Sequence, residues 1–421
     1  MEKICVIGLG YIGLPLAGLL ANNGFNVHGV DNNVKIVATI NNGGPHIQES
    51  GLDILVKTAI QNGHLVAALQ PVPADVFIIA VPSLITEKHL PDLKHIQEAI
   101  HSIAPHLTPG NLIILETTVP VGTTEKIAGW ISELRRDLYL SQLPAPAAPL
   151  PGATEKQIFL AHCPERVLPG QILKELMEND RIIGGINQLS GEKARAFYQK
   201  FVSGGLLLTD ARTAELTKLA ENSFRDVNIA LANELSYICD KFGINVWELI
   251  KLANRHPRVN IHQPGPGVGG HCITKDPWFI IDAAPDESKI IRAAREINDN
   301  RTNYVAARVK EKAACFKNPV IACLGLSYKA NTGDLRESPA LRIVQQLIQE
   351  TVGQFLIVEP HLKTLPECLT QLNSVQLVNL QEALPQADLV ILLVNHNAFQ
   401  NIDHKLLKNK VVIDTRGTWR Q

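Results

Sequence analysis

The 421-residue sequence has almost no net charge, with 40 Lys and Arg against 41 Asp and Glu leaving it at -1. No block of like charges stands out, so bulk electrostatics support neither a nucleic acid nor an anionic membrane as partner. Long hydrophobic runs are also missing. The longest, VFIIAV and DLVILLV, are strand-length and far too short to span a bilayer. No charged-then-apolar leader precedes the first strand. The seven cysteines include no CxxC pair, which argues against a disulfide framework and a zinc site, so no metal is expected. A cytoplasmic protein is the natural expectation.

What is present is ample apolar material, 45% of the chain, and a length too great for one ordinary core. The first 30 residues read strand, tight turn, helix, strand: KICVIG, YIGLPLAGLLANNG, NVHGVD. DVFIIAVP, NLIILETT, IFLAHCPER and DRIIGG continue the β pattern, with helical stretches and a proline-rich loop at residues 143–152 among them. Strands alternating with helices imply a parallel sheet covered on both faces. From about residue 211 to 256 the pattern turns helical. Leu216, Leu219, Ala220, Phe224, Val227, Leu231, Leu235 and Ile238 fall on one side of a helix at 100° per residue. A second α/β region follows with VIACLGL, FLIVEP, DLVILLVNH and VVIDT. The expected architecture is α/β: two Rossmann-like, doubly wound parallel-sheet domains joined by a helical region.

Gly8, Gly10 and Gly13 form G-x-G-x-x-G between the first strand and its helix. The first glycine allows the tight turn, the second lets backbone approach a diphosphate, and the third packs helix on strand. The helix N-terminus offers N–H groups to phosphate. Asp31 closes the next strand, 18 residues after Gly13. Its carboxylate would take ribose hydroxyls and repel a 2′-phosphate, which favours NAD over NADP. A structural glycine turn with a helix-capping Asp31 is the bland alternative.

PGPGVGGHCITKDPWF places four glycines and two prolines before Cys272. Such a loop brings backbone N–H groups near a ligand and could steady a thiolate or an oxyanion. His271 and Lys275 could favour the thiolate, and Asp276 could handle a proton or orient a water. Otherwise Cys272 is an inert turn cysteine, as Cys5, Cys239 and Cys323 should be in their apolar strands and helix. Beside an NAD site a reactive thiol has a definite use. Alcohol oxidation gives an aldehyde, which lacks the tetrahedral oxyanion needed for a second hydride transfer. A thiolate creates that centre, and oxidation then leaves a thioester that water cleaves.

Lys218, Asn222 and Arg225 share the opposite helix side and could donate hydrogen bonds to a substrate, although a solvated face is the ordinary explanation of that spacing. His256 and Arg258 lie in a polar loop. Lys329, Asp334, Arg336 and Ser338 follow a strand and could bind phosphate or serve an ordinary βα loop.

Together, GLGYIGLPLA, TVPVGTTEK, CPERVLPG, AELTKLAENSFRDVNIALANEL, GPGVGGHCI and YKANTGDLRESPA resemble the UDP-glucose/GDP-mannose dehydrogenase family, in its order and nearly end to end. The resemblance implies an NAD domain over residues 1–200, a helical dimerisation and catalytic region over 201–310, and a UDP-sugar-binding α/β domain over 311–421. It implies a homodimer or higher oligomer, and oxidation of a UDP-sugar to the uronate with two NAD. NRHPRVNIHQPGPGVGGHCI, NSFRDVNIA and DTRGTWR look most like the branch acting on UDP-N-acetyl-D-mannosamine, with UDP-GlcNAc, UDP-glucose and GDP-mannose as alternatives. Cys272 would be the nucleophile, Lys218 an acid/base or oxyanion-stabilising group, Asn222 a donor, Asp276 a proton or water handler, and Glu165 a base for hydrolysis. Tyr11, Ile12, Asp31, Ser83, Thr118 and Thr124 match NAD contacts, with Arg336 reaching the cofactor as well. Arg166, Val167, Arg225, His256, Arg258, Gly269, Tyr328, Lys329 and Arg416 match substrate contacts. A two-electron hydroxyacid-type dehydrogenase, which needs no Cys272, and a non-catalytic NAD sensor are the competing classes.

Overall fold

The computed structural model describes residues 2–140, 153–270, 272–370 and 374–419. The proline-rich loop at 143–152 and His271 therefore lie outside the described residues. The chain divides into two compact units, Met1–Glu221 with Trp278–Ala283, and Asn222–Pro277 with Ala284–Gln421.

In the first unit an eight-stranded sheet runs, edge to edge, Leu206–Asp210, Arg181–Gly185, Phe159–His162, Leu112–Leu115, Val76–Ile79, Lys3–Ile7, Asn26–Val30, Leu65–Ala68. The inner strands Val76–Ile79, Leu112–Leu115 and Phe159–His162 are short, fully buried runs because both faces are covered there. Side chains alternate across the sheet, so Ile4, Val6, Ile78 and Ile114 enter one core while Cys5, Ile7, Phe77, Ile79, Ile113 and Leu115 enter the other. The first strand lies between Asn26–Val30 and Val76–Ile79, so strand order reverses at its edge. Ligands of such sheets bind outside the carboxyl ends of the strands at that point.

The expected parallel sheet has one exception. Phe159–His162 pairs antiparallel with Arg181–Gly185, with His162 opposite Gly184. The helix between them, Ile172–Glu178, has only seven residues. At 1.5 Å per residue it is about 10 Å long, and the chain re-enters the sheet from the end it left. This keeps residues 163–180, and with them Glu165, Arg166 and Val167, at the carboxyl end of the neighbouring strands.

The second unit holds a five-stranded, all-parallel sheet in the order Val375–Leu377, Gln354–Val358, Val320–Leu324, Leu389–Leu392, Val411–Asp414. Its two faces also bury separate cores, with Ile321, Cys323, Phe355 and Ile391 on one side and Ala322, Leu324, Leu356 and Leu392 on the other. The helical stretch expected over 211–256 is two helices, Ala211–Phe242 and Val246–Ala253. Gly243 breaks it at φ +67°, and the Asn245 side chain caps the second helix by accepting from Trp247 N. Among the described residues no helix is long and apolar enough to cross a membrane.

Candidate functional site

The glycine turn differs at each of its three positions. Gly8 has φ +92°, and a Cβ there would sit 2.7 Å from the Ala80 carbonyl oxygen. At Gly13 a Cβ would lie 1.7 Å from the Gly8 carbonyl oxygen, so helix and strand meet through its missing side chain. Gly10 has nothing within 4 Å of where a Cβ would stand. That open space at the head of helix Gly13–Asn22 fits a diphosphate. Asp31 follows its strand and accepts from Leu9 N at 3.1 Å and Asn33 N at 2.9 Å. Both Gly8 and Asp31 line a cleft of about 360 Å³ with Val81, Pro82 and Ser102. Tyr11 is exposed, Ile12 and Thr118 are half-buried, and Ser83 is buried.

Thr124 is anchored by Glu215. Its hydroxyl donates to Glu215 Oε1 at 2.6 Å and its N–H at 2.7 Å, while Gly122 N reaches Oε2 at 2.6 Å. Glu215 thus binds the head of helix Thr123–Leu134. The Glu165 carboxylate accepts from Val167 N. Arg166 pairs with Glu221 at 2.6 Å and donates to the Asp180 carbonyl at 2.9 Å. Lys218 is 7% exposed. Its charge falls near His162, which is completely buried, with neither ring nitrogen hydrogen-bonded at normal geometry among the described residues. Burial first, and then the Lys218 charge, push the imidazole down to about 3; the Leu115 backbone opposes this without reversing it.

The sign of that shift gives a stability prediction. Below pH 6.5 the unfolded chain takes up a proton that folded His162 refuses, so stability is lost as pH falls toward 3. The slope is about 1.4 kcal/mol per pH unit from this group alone. The stability gap between wild type and His162→Phe should therefore shift in favour of the variant from pH 6.5 to 4, measured by denaturant unfolding. An unchanged gap would put His162 in a wetter setting.

In the second unit Cys272 is exposed, and its carbonyl accepts from Lys275 N at 3.0 Å and Asp276 N at 2.9 Å. It stands one turn before helix Asp276–Ala283. Burial lowers the Lys275 ammonium, while Asp276 and Cys272 pull it back up. Asn222 Nδ2 donates to Asp276 Oδ2 at 2.5 Å, and both residues are buried. Cys5, Cys163, Cys239 and Cys323 are buried, and Cys323 is pushed up to about 12 by burial. Cys315 and Cys368 are exposed. The glycine-rich segment packs closely because it lacks side chains. A Cβ at Gly269 would meet the Glu337 carbonyl oxygen at 2.7 Å and Tyr328 Cβ at 2.8 Å, and one at Gly265 would meet Arg416 Nη1 at 2.8 Å. Gly269, Tyr328 and Arg416 are thus gathered around one segment. Burial lowers the Arg416 guanidinium to about 10.

Arg336 is held by Asp334, with Nε 2.8 and 2.9 Å from its two oxygens. Ser338 caps helix Pro339–Gln349 and donates to the Leu326 carbonyl at 2.6 Å, a structural use. Lys329, Arg225, His256 and Arg258 are exposed.

The solvated polar face expected on helix Ala211–Phe242 is corrected by the structure. Glu215, Lys218, Asn222, Asp226, Asn233 and Ser236 are buried, whereas Leu216, Phe224, Leu231 and Ile238 are exposed, Phe224 at 62%. Only Arg225 of the three singled-out residues faces solvent. The buried groups have partners of their own, which offset the cost of leaving water. Nothing in the local sequence around Glu215, His162 and Asp226 marks them individually as site residues. The run of polar residues at 215, 218, 222, 226 and 233 is itself helically spaced and was the available signal.

A glycine turn, an acid at the end of the next strand and a cleft at the strand-order reversal define a dinucleotide-binding α/β protein. Three domain descriptions of the UDP-glucose/GDP-mannose dehydrogenase family match the chain: NAD binding domain over residues 2–202, central domain over 212–300, and UDP binding domain over 322–421. The chain belongs to this family and is an NAD-dependent nucleotide-sugar dehydrogenase. It is 55% identical over 418 residues to an NDP-N-acetyl-D-galactosaminuronic acid dehydrogenase of Ralstonia nicotianae, covering 99% of this chain and 96% of that one. It is 54% identical over 399 residues to a UDP-N-acetyl-D-mannosamine dehydrogenase of Campylobacter jejuni, covering 94% and 96%. Among solved structures, the UDP-N-acetyl-mannosamine dehydrogenase Cap5O of Staphylococcus aureus superposes with a TM-score of 0.86 at 39% identity, covering 100% and 96%.

Proposed function

We propose that the protein oxidises the 6-alcohol of a UDP-N-acetylhexosamine, UDP-N-acetyl-D-mannosamine first, to the uronate. The observation that carries this is an exposed Cys272 in a glycine-rich loop beside the Asn222–Asp276 pair. The likeness to enzymes named for that sugar supports it. The Ralstonia relative favours a second reading, the same chemistry on an N-acetylgalactosamine nucleotide.

In this scheme Gly8, Gly10, Tyr11, Ile12, Gly13, Asp31, Ser83, Thr118, Thr124 and Arg336 hold NAD. NAD, when bound, would supply the acceptor for two electrons at each of two stages. Lys218 takes the proton from the alcohol oxygen or steadies the negative charge there, and Asn222 donates a hydrogen bond to that oxygen. The Cys272 sulfur adds to the aldehyde carbon, and oxidation of that adduct leaves a thioester. Glu165 takes a proton from the attacking water, with Asp276 orienting it, and the C–S bond breaks to release the acid and the thiol. Arg166, Val167, Arg225, His256, Arg258, Gly269, Tyr328, Lys329 and Arg416 bind the nucleotide sugar. The work divides over residues 1–200, 201–310 and 311–421 as cofactor, catalytic and UDP-sugar segments. The cytoplasm suits cysteines of which none is disulfide-bonded among the described residues. The test counts NADH per sugar consumed across UDP- and GDP-sugars. Two NADH from UDP-N-acetylmannosamine supports the reading, and one NADH per sugar rejects it.

The exposed row of Leu216, Phe224, Leu231 and Ile238 supports a homodimer built on helix Ala211–Phe242, because such rows are covered in working proteins. Light scattering should give a multiple of 46.1 kDa, and Phe224→Glu should shift it toward 46.1 kDa. Wild-type particles of 46.1 kDa alone would reject the dimer.

A further inference from the structure

Helix Lys289–Ala313 carries three buried polar residues at steps of three, Arg295, Asn298 and Arg301, which places them along one side. Each leads to one end of the glycine-rich segment before Cys272. Arg301 Nε donates to the Gly265 carbonyl at 2.7 Å. Asn298 Oδ1 accepts from Asn233 Nδ2 at 2.9 Å, which leaves Asn233 Oδ1 to accept from Gly265 N at 3.0 Å. At the other end, Arg295 Nη1 reaches the Ile273 carbonyl, the residue after Cys272, at 3.5 Å. Asp226 ties the row together: Oδ1 receives Arg295 Nη1 at 2.6 Å and Asn298 Nδ2 at 2.8 Å.

This network is expensive for what it adds to stability. Arg295 and Asp226 are fully buried, and Asp226 Oδ2 and Arg295 Nε have no hydrogen-bond partner among the described residues. Apolar residues of the same shape commonly stabilise a fold as well or better. A different requirement explains its placement. A glycine-rich segment has no side chains to fix its path and ranges widely in φ and ψ. Fixing it from outside means holding its backbone groups; Gly270 N donates to the Arg336 carbonyl at 3.3 Å, and the buried row takes Gly265 and the Ile273 carbonyl.

We propose that Arg295, Asn298 and Arg301 are positioning residues that anchor the backbone at Gly265 and Ile273, on either side of Cys272 in sequence, and thereby aim the Cys272 sulfur. The inference rests on the reading of Cys272 as nucleophile. Its consequence is specific to one stage. Oxidation of the alcohol does not use the sulfur, whereas oxidation of the aldehyde does. A badly aimed sulfur should release aldehyde, while a general loss of folded enzyme would lower both stages together.

The test uses the full-length enzyme with NAD and the UDP-sugar that supports turnover, counting NADH per sugar and trapping aldehyde with a hydrazine for mass analysis. In Asn298→Ala and Arg301→Met the aldehyde stage should slow at least tenfold, the alcohol stage less than threefold, and NADH per sugar should fall from two toward one. Arg301→Lys, which keeps a donor for the Gly265 carbonyl, should return the count to near two. If Asn298→Ala does not fold, the two Arg301 variants carry the comparison. Two NADH per sugar in Asn298→Ala and Arg301→Met, at whatever total rate, overturns the inference. Cys272→Ser run alongside separates the two failures. Two NADH per sugar in that variant removes the nucleophile itself, whereas aldehyde from it with two NADH from the others removes only the positioning role.

Discussion

Cys272→Ser should form the acid more slowly by a factor on the order of 10³ or more, while still consuming the alcohol. The asymmetry follows from the chemistry of the two stages. Loss of two electrons from a primary alcohol needs a group to take the hydroxyl proton, and Lys218 is proposed for that. The aldehyde has no proton on oxygen to remove and no tetrahedral carbon. A nucleophile must supply one, and a serine hydroxyl without a strong adjacent base adds poorly where a thiolate adds readily. The variant should therefore yield about one NADH per sugar, with aldehyde recoverable by trapping. Cys315 and Cys368 are also exposed and make the controls. Either one as serine should leave the count at two. A Cys272→Ser enzyme that makes acid at the wild-type rate would remove the covalent route through this sulfur, and one NADH per sugar in the wild type would move the protein to the two-electron class.

Gly13→Ala should weaken NAD binding by roughly 5- to 140-fold, on the basis that forced overpacking costs about 1–3 kcal/mol and each 1.4 kcal/mol is a factor of ten. The added methyl would stand 1.7 Å from the Gly8 carbonyl oxygen, which belongs to backbone and cannot swing aside. The helix must move off the strand, and the turn at Gly8 to Gly10 moves with it. Gly10→Ala is the informative companion. Its methyl meets no protein atom within 4 Å, so the melting temperature should hold. It would occupy the space assigned to the diphosphate, so NAD binding should still weaken. Equilibrium titration with NAD and a thermal melt on both variants check this. A Gly10→Ala protein with unchanged NAD affinity would show that the diphosphate lies elsewhere.

Much of this site is readable in the sequence because its parts are local. The glycine turn, the strand before it and Asp31 are close along the chain, and backbone geometry alone dictates their relation. The setting of Cys272 is likewise written in the residues around it. The antiparallel pairing at His162 and Gly184 was not readable, because strand direction depends on where a short helix leaves the chain. Nor was the role of Glu215, whose three donors lie about 90 residues away in sequence.

The sequence by itself determined the alternation of strands and helices, the dinucleotide turn, the preference for NAD and the setting of Cys272 in a glycine-rich loop. Each of these depends on neighbours within a few turns of chain. Only the tertiary structure decided which side of helix Ala211–Phe242 is buried, and it decided against hydrophobic periodicity. Burial of Asn222, Asp226 and Asn233 is tolerable only because Asp276, Arg295 and Asn298 arrive from distant segments to hydrogen-bond them. A polar residue's free energy inside a protein is set by its partner, and the partner is known only once the chain has folded.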